Sequence, residues 1–216
     1  MTTVLSVAEL QKRKRKAAKI ITALKKLFSK AKIALNYGNN WELLVAVQLS
    51  AQCTDKKVNE VTPALFKKYK KLDDYVNADP HEFEEDIHST GFYRNKTKNI
   101  LAAAKTVKEK FRGKIPKTMA EMVTIPGIGR KSANVILGNA HGVVEGIAVD
   151  THVRRLAKKL GLTHHNDPVK IERDLMAVIP KKDWFRFTYM LIDYGRKYCP
   201  ARPHKACPLA RMMIAH

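Results

Sequence analysis

The stretch Ile125-Pro126-Gly127-Ile128-Gly129-Arg130-Lys131-Ser132-Ala133-Asn134 decides how this 216-residue chain is read. Two glycines separated by one residue permit a tight turn whose backbone amides face outward, a nest suited to a phosphate oxygen at a helix start. An apolar-Pro step precedes the glycines and an apolar run over 133–140 follows them, so the turn joins two helical segments as a helix-hairpin-helix motif. A lone GxG is more often an ordinary turn between helices. These flanks favour sequence-independent binding of the DNA backbone, with Gly127, Gly129 and Arg130 nearest the phosphates.

Lys131 falls in the first turn of the second helix, where the positive end of the helix dipole repels its ammonium. With partial burial, that repulsion favours the free amine that an amine nucleophile needs. The plainer reading is one more phosphate-binding lysine on a basic protein. Nineteen residues on, Val149-Asp150-Thr151-His152 opens another helix. Asp150 suits an N-cap, the commonest reason for an Asp in such a place. Beside a DNA-binding hairpin and a lysine nucleophile it has a second possible role, stabilising positive charge on a sugar as a glycosidic bond breaks. His152 reads as a contact at the helix start rather than as an acid or base.

Working outward, apolar residues recur at helical spacing. Ile20, Leu24, Leu27, Phe28, Ala31 and Leu35 make one stripe of a helix over 17–35. Further helices are expected over 41–49, over 55–69 with Pro63 as a kink, from Asp79-Pro80 onward, and over 95–111, 118–123, 130–140, 151–161, 168–179 and 183–196. Nothing alternates with period two long enough for a strand, so the expected class is all-α. The basic run over 12–16 and the lysines Lys67, Lys68, Lys70 and Lys71 read first as solvated helix faces.

Composition narrows the partners. Lys and Arg number 41 against 20 acidic residues, a formal charge of +21, so the expected partner is a polyanion, with nucleic acid ahead of an anionic membrane surface or ribosomal RNA. No apolar run approaches the roughly 20 residues of a membrane-spanning helix. The three cysteines, Cys53, Cys199 and Cys207, cannot build a disulfide framework, which favours a reducing compartment. The N-terminal stretch lacks the order of a secretory signal, and the expected location is the cytoplasm, with bacterial-type association with the nucleoid.

Four motifs together resemble the endonuclease III family of DNA glycosylases, in the helix-hairpin-helix superfamily. They are Leu49-Ser50-Ala51-Gln52-Cys53-Thr54-Asp55 with Val58-Asn59 behind it, Gly91-Phe92-Tyr93-Arg94-Asn95-Lys96, the hairpin itself, and Ala148-Val149-Asp150-Thr151-His152. The resemblance covers most of the chain. It implies a monomeric enzyme that flips an oxidised pyrimidine out of duplex DNA, then cleaves both the base and the strand. In that pattern Lys131 attacks the deoxyribose C1′ to give a Schiff base, Asp150 assists, and β-elimination nicks the strand at the abasic sugar. Gln52 and Phe92 fill the gap left by the flipped base, and Tyr93 and His152 join the DNA contacts. Phe92 stands where leucine is the more familiar wedge, and without the resemblance it reads equally well as a core aromatic. Gln52 is polar amid an apolar run, as a functional tip is, while Cys53 reads as a small buried hydrophobe.

The resemblance further implies two helical lobes with an active-site cleft between them: residues 32–144 as a six-helix lobe containing the hairpin, and 1–31 with 145–216 as the other, Lys131 and Asp150 facing across the cleft. The family's [4Fe-4S] cluster is expected to be absent. Cys199 and Cys207 occupy the first two ligand positions, Ala210 stands at the third, and His216 lies near the fourth, whereas a cubane ordinarily takes four thiolates. No cofactor is then required, and Pro200, Pro208, Leu209, Met212, Met213 and Ile214 pack the tail. A weaker rival makes Cys199, His204, Cys207 and His216 a zinc site. Two other functions compete: a monofunctional glycosylase that uses water and lacks the lysine, and a non-catalytic DNA-binding module, which leaves Asp150 and the Gln52 loop without a purpose.

Overall fold

The computed structural model describes residues 6–202 and 207–209, and every regular element among them is helical. The chain forms two compact units: Ala34–Glu145, and a unit drawn from both ends, Met1–Ile33 with Gly146–His216.

In the two-ended unit, α1 (Val7–Leu27) begins at Ser6, whose side chain caps the Glu9 amide at 3.2 Å. The helix starts and stops well before the expected 17–35. Its basic run is mostly solvated, as the pattern suggests, although Arg13 is buried beside Glu9 at 3.5 Å.

In the unit Ala34–Glu145, α2 (Asn40–Leu49) is buried on all sides from Leu43 to Leu49, including the polar Gln48. Leu35 is also buried there, but from non-helical chain. The cause is Asn59, whose Oδ1 accepts from the Asn36 amide at 2.9 Å and whose Nδ2 donates to the Ala34 carbonyl at 2.8 Å, engaging the backbone groups a helix would need. Asn59 belongs to α3 (Asp55–Lys68), which runs on through Pro63. A short α4 (Leu72–Val76), unforeseen from the pattern, and α5 (Pro80–Ile87) pack on α6 (Tyr93–Phe111). Asp79 caps α5 through the His81 and Glu82 amides, both at 2.9 Å, with Pro80 in the first helical position. Tyr69, Tyr75 and Phe83 pack edge-on or tilted with ring centroids 5.2 to 5.9 Å apart. Then come α7 (Met119–Met122) and α8 (Arg130–His141), whose Ala133–Gly138 segment is buried and packs against α2.

The two-ended unit continues with α9 (Thr151–Lys159), α10 (Pro168–Val178) and α11 (Trp184–Lys197). Its core joins Ile20 and Leu24 of α1, Leu156 of α9, Leu175 of α10 and Phe187 and Tyr194 of α11, with Cys199, Cys207 and Leu209 beneath the end of α11. Burying each such aliphatic side chain stabilises the unit by roughly 1.5–3 kcal/mol.

Candidate active site and DNA interface

The hairpin is built as its sequence suggests, but its two glycines do different jobs. Ile125 and Ile128 are buried and anchor the turn. Gly127 is left-handed at φ 77°, and a Cβ there would lie 2.9 Å from Cβ of Asn99 on α6, so glycine alone fits. Gly129 is extended, has open space around it and caps α8 without a side chain, leaving the first-turn amides uncovered by any cap. Gln48 ties the turn to α2 by donating from Nε2 to the Pro126 carbonyl at 2.9 Å.

Arg130 and Lys131 take the first two positions of α8, and both are exposed. The partial burial expected for Lys131 is therefore absent, because the turn lifts the helix start out of the packed layer that begins at Ala133.

A cavity of about 130 Å³ opens beside the hairpin, lined among others by Gln48, Gln52, Phe92, Lys96, Asn99, Gly127 and Ser132. It brings together three of the motifs singled out from sequence: the loop after α2, the turn before α6, and the hairpin. Gln52 and Phe92 both hold left-handed backbones, φ 51° and φ 50°, which side-chain-bearing residues rarely adopt and which cluster at functional sites. Gln52 is exposed, and Phe92 is 63% exposed, so Phe92 is not a core aromatic. Tyr93 is half-buried against His88, its ring centroid 4.4 Å away. Cys53 is half-buried rather than buried, since the loop that exposes Gln52 carries it only partly inward.

Two polar residues of this site were passed over by sequence reasoning. Lys96 is 5% exposed and donates from Nζ to the Thr90 carbonyl at 2.8 Å. Burial pushes its ammonium down from the usual lysine value. The buried Gln48 has its Oε1 without a hydrogen-bond partner. Each had a signal: Lys96 stands four residues before Ile100 on the apolar stripe of α6, and Gln48 sits inside the apolar run of α2.

In the other unit, Asp150 is the N-cap of α9, its Oδ1 accepting from the Val153 amide at 2.7 Å, which leaves Oδ2 unused by the cap. Ile147, Ala148 and Val149 before it are buried, and Thr188 of α11 donates to the Ala148 carbonyl at 3.0 Å. His152 is half-buried with Nδ1 against Gly195, where a Cβ would come within 2.8 Å of it.

The chain holds three cysteines, where a cubane ordinarily takes four thiolates. Cys199 and Cys207 are both buried in the core, and the chain's third cysteine, Cys53, belongs to the other unit. Cys207 Sγ shares a hydrogen bond with the Tyr194 hydroxyl at 2.7 Å, and burial pushes the Cys199 thiol up from its ordinary value. Among the described residues no group of three or more His, Cys, Asp or Glu could hold a metal. His204 and His216 of the zinc alternative, with Met212, Met213 and Ile214, lie outside the described residues. No helix among the described residues is long and apolar enough to cross a membrane.

A glycine hairpin opening a helix, beside exposed left-handed side chains in an all-helical chain, defines a class: the chain belongs to the HhH-GPD superfamily of base excision DNA repair proteins, which residues 45–181 match. Within it the chain belongs to the endonuclease III family. It is 49% identical over 194 residues to endonuclease III of Synechocystis sp. (strain ATCC 27184 / PCC 6803 / Kazusa), covering 90% of this chain and 89% of the relative. It is also similar to the protein in a structure of a non-covalent endonuclease III–DNA complex (TM-score 0.87, 39% identity, 94% of this chain and 99% of that one). A structure of a trapped endonuclease III–DNA covalent intermediate, an estranged-adenine complex, matches with TM-score 0.87 and 41% identity over 91% of this chain and 93% of that one.

Proposed function

We propose that the chain is a bifunctional DNA glycosylase and AP lyase of base excision repair, acting on oxidised pyrimidines and abasic sites in duplex DNA, in the cytoplasm at the nucleoid. The observation that carries this reading is the exposed amine of Lys131, two residues past the hairpin glycine and in the first turn of α8. The covalent protein–DNA intermediate trapped for an endonuclease III relative is in keeping with it.

The chain's own residues divide the chemistry. The uncapped amides of α8, with Arg130, attract backbone phosphates, and the net charge of +21 supplies the sequence-independent remainder. Gln52 and Phe92 occupy the gap in the stack while the base is out of the duplex. Lys131 Nζ attacks C1′; the bond from C1′ to the base breaks, and the base leaves with the electron pair and takes a proton. Opening of the sugar ring gives the imine between Nζ and C1′. Loss of a proton from C2′ then expels the 3′ phosphate, and water frees the lysine. Asp150 offsets the positive charge on the sugar with the carboxylate oxygen its cap does not use. None of these steps needs a metal, and we infer that the protein carries no [4Fe-4S] cluster, since Ala210 has no donor to offer and Cys199 and Cys207 are engaged within the core.

Borohydride trapping on a duplex with one thymine glycol tests the reading, because only an imine becomes a stable covalent adduct. A trapped adduct with wild-type protein is expected. Base release without any adduct would move the chain to the monofunctional glycosylases, and binding with neither would leave only a DNA-binding module.

A further inference from the structure

We propose that Lys96 is a positioning residue for base flipping: its buried ammonium, bound to the Thr90 carbonyl, holds the Gly91–Phe92 turn in the left-handed form that keeps the Phe92 ring in solvent, ready to enter a base stack. The proposal rests on the reading of Phe92 as the gap-filling side chain.

A lysine is almost never fully buried unless it is paired. Lys96 is buried, yet it is in none of the ion pairs found among the described residues, and no carboxylate lowers the cost of its charge. What it has is a backbone acceptor: Nζ to Thr90 O at 2.8 Å. Its own amide donates to the Phe92 carbonyl at 3.0 Å. One residue therefore takes the carbonyls on both sides of Gly91. The turn is fastened from the other end as well, by the Thr90 hydroxyl on the Ile87 carbonyl at 2.8 Å and the Gly91 amide on His88 O at 3.2 Å.

Between these ties the backbone runs through φ 70° at Gly91 and φ 50° at Phe92. Gly91 has open space where a Cβ would be, so its backbone conformation rather than crowding calls for glycine. Phe92 has no such excuse, and a bulky residue stays left-handed only where its surroundings over-determine it. A neutral side chain at position 96 leaves the Thr90 carbonyl buried without its donor, and the turn is then free to relax toward ordinary backbone. The ring would no longer be presented at the angle that entry into a stack demands.

The test compares two activities of one preparation of Lys96→Met: base release from a thymine-glycol duplex, and strand nicking of a duplex with a pre-formed abasic site. The abasic substrate has no base to unstack, so it demands little of the Phe92 turn. Base release should fall roughly 10²-fold, the scale of an ångström-sized misplacement, while nicking falls far less. The ratio does not depend on the folded fraction, so partial unfolding cannot imitate it. Phe92→Ala should show the same skewed ratio, and the double variant should be no worse than Phe92→Ala alone. Equal loss of both activities in Lys96→Met, or additive losses in the double variant, would overturn the proposal. So would a skewed ratio in Phe92→Ala but not in Lys96→Met. A normal ratio in Phe92→Ala would instead remove the gap-filling reading on which it stands.

Discussion

The cavity beside the hairpin and the cysteine tail beneath α11 treat their polar groups in opposite ways. Around the cavity, Gln48 Oε1 is buried without a partner, Lys96 is buried and in none of the ion pairs among the described residues, and Gln52 and Phe92 are held left-handed with their side chains in solvent. Beneath α11 the Tyr194 hydroxyl meets Cys207 Sγ at 2.7 Å and accepts from the Leu209 amide at 3.0 Å, while Phe28 packs edge-on to Tyr194 at 6.5 Å. Two of the three left-handed residues other than glycine among the described residues, Gln52 and Phe92, flank this cavity, whereas Tyr194, Cys207 and Leu209 close a hydrogen-bond network in the core. Substitutions around the cavity should therefore cost activity more than stability, and those in the tail the reverse.

The largest effect should come from Lys131. Lys131→Gln removes the nucleophile, so base release and strand cleavage should fall on the order of 10⁴-fold or more and the borohydride adduct should vanish. DNA binding should persist, since the hairpin amides and the other cations remain. Near wild-type nicking by this variant would break the imine reading outright.

Asp150 sharpens the comparison because it lies in the same unit as the tail. Asp150→Asn keeps a good N-cap, so a merely structural Asp150 predicts an almost unchanged rate. A preorganised charge predicts a loss of roughly 10²- to 10³-fold with little change in melting temperature, and this second outcome is expected.

Gln52 separates the two quantities by sign. A side-chain-bearing residue in the left-handed region costs about 1–2 kcal/mol, which the substitution Gln52→Gly would recover, less the roughly 0.5–1 kcal/mol of backbone entropy that a glycine gives up. The variant should thus melt no lower than wild type, yet release the base about tenfold more slowly for want of a gap-filling side chain. Parallel losses of stability and activity would show that Gln52 serves folding.

Most helices were legible because their stripes are strong and their caps explicit, as at Asp79-Pro80. The first helix was misplaced because Ala31 and Leu35 continue its period by accident, and only the distant Asn59 shows why the chain is extended there. The hairpin, Gln52 and Phe92 were legible as motifs, but their left-handed backbones were not, since neither Gln52 nor Phe92 is a glycine. Lys96 hid in plain view: a lysine on an apolar stripe reads as a side chain that snorkels to water, and only the turn at Thr90 shows what it binds instead.

The smallest effect on activity is expected in the tail. Cys199→Ser with Cys207→Ser should leave base release and nicking within about twofold, with a stability loss of order 1 kcal/mol from weaker packing and an altered hydrogen bond to Tyr194. The protein should carry no stoichiometric iron or zinc, show no cluster absorption, and resist chelators; stoichiometric iron, or unfolding by a chelator, would make the tail a metal site. Acidity gives an independent reading of the same closure. Burial raises the Cys199 thiol above its ordinary 9.0. A group raised in the folded state binds its proton more tightly there than in the unfolded chain, so its contribution is whole below about pH 9 and is lost as pH climbs toward the folded value. Wild-type stability should therefore decline through the alkaline range, and the double serine variant should lose that part of the decline, because a hydroxyl does not titrate there. A metal-bound thiolate would do the opposite, staying deprotonated in the fold and losing stability as pH falls. The slope of melting temperature against pH in the two proteins thus distinguishes a closed thiol pair from a ligand site.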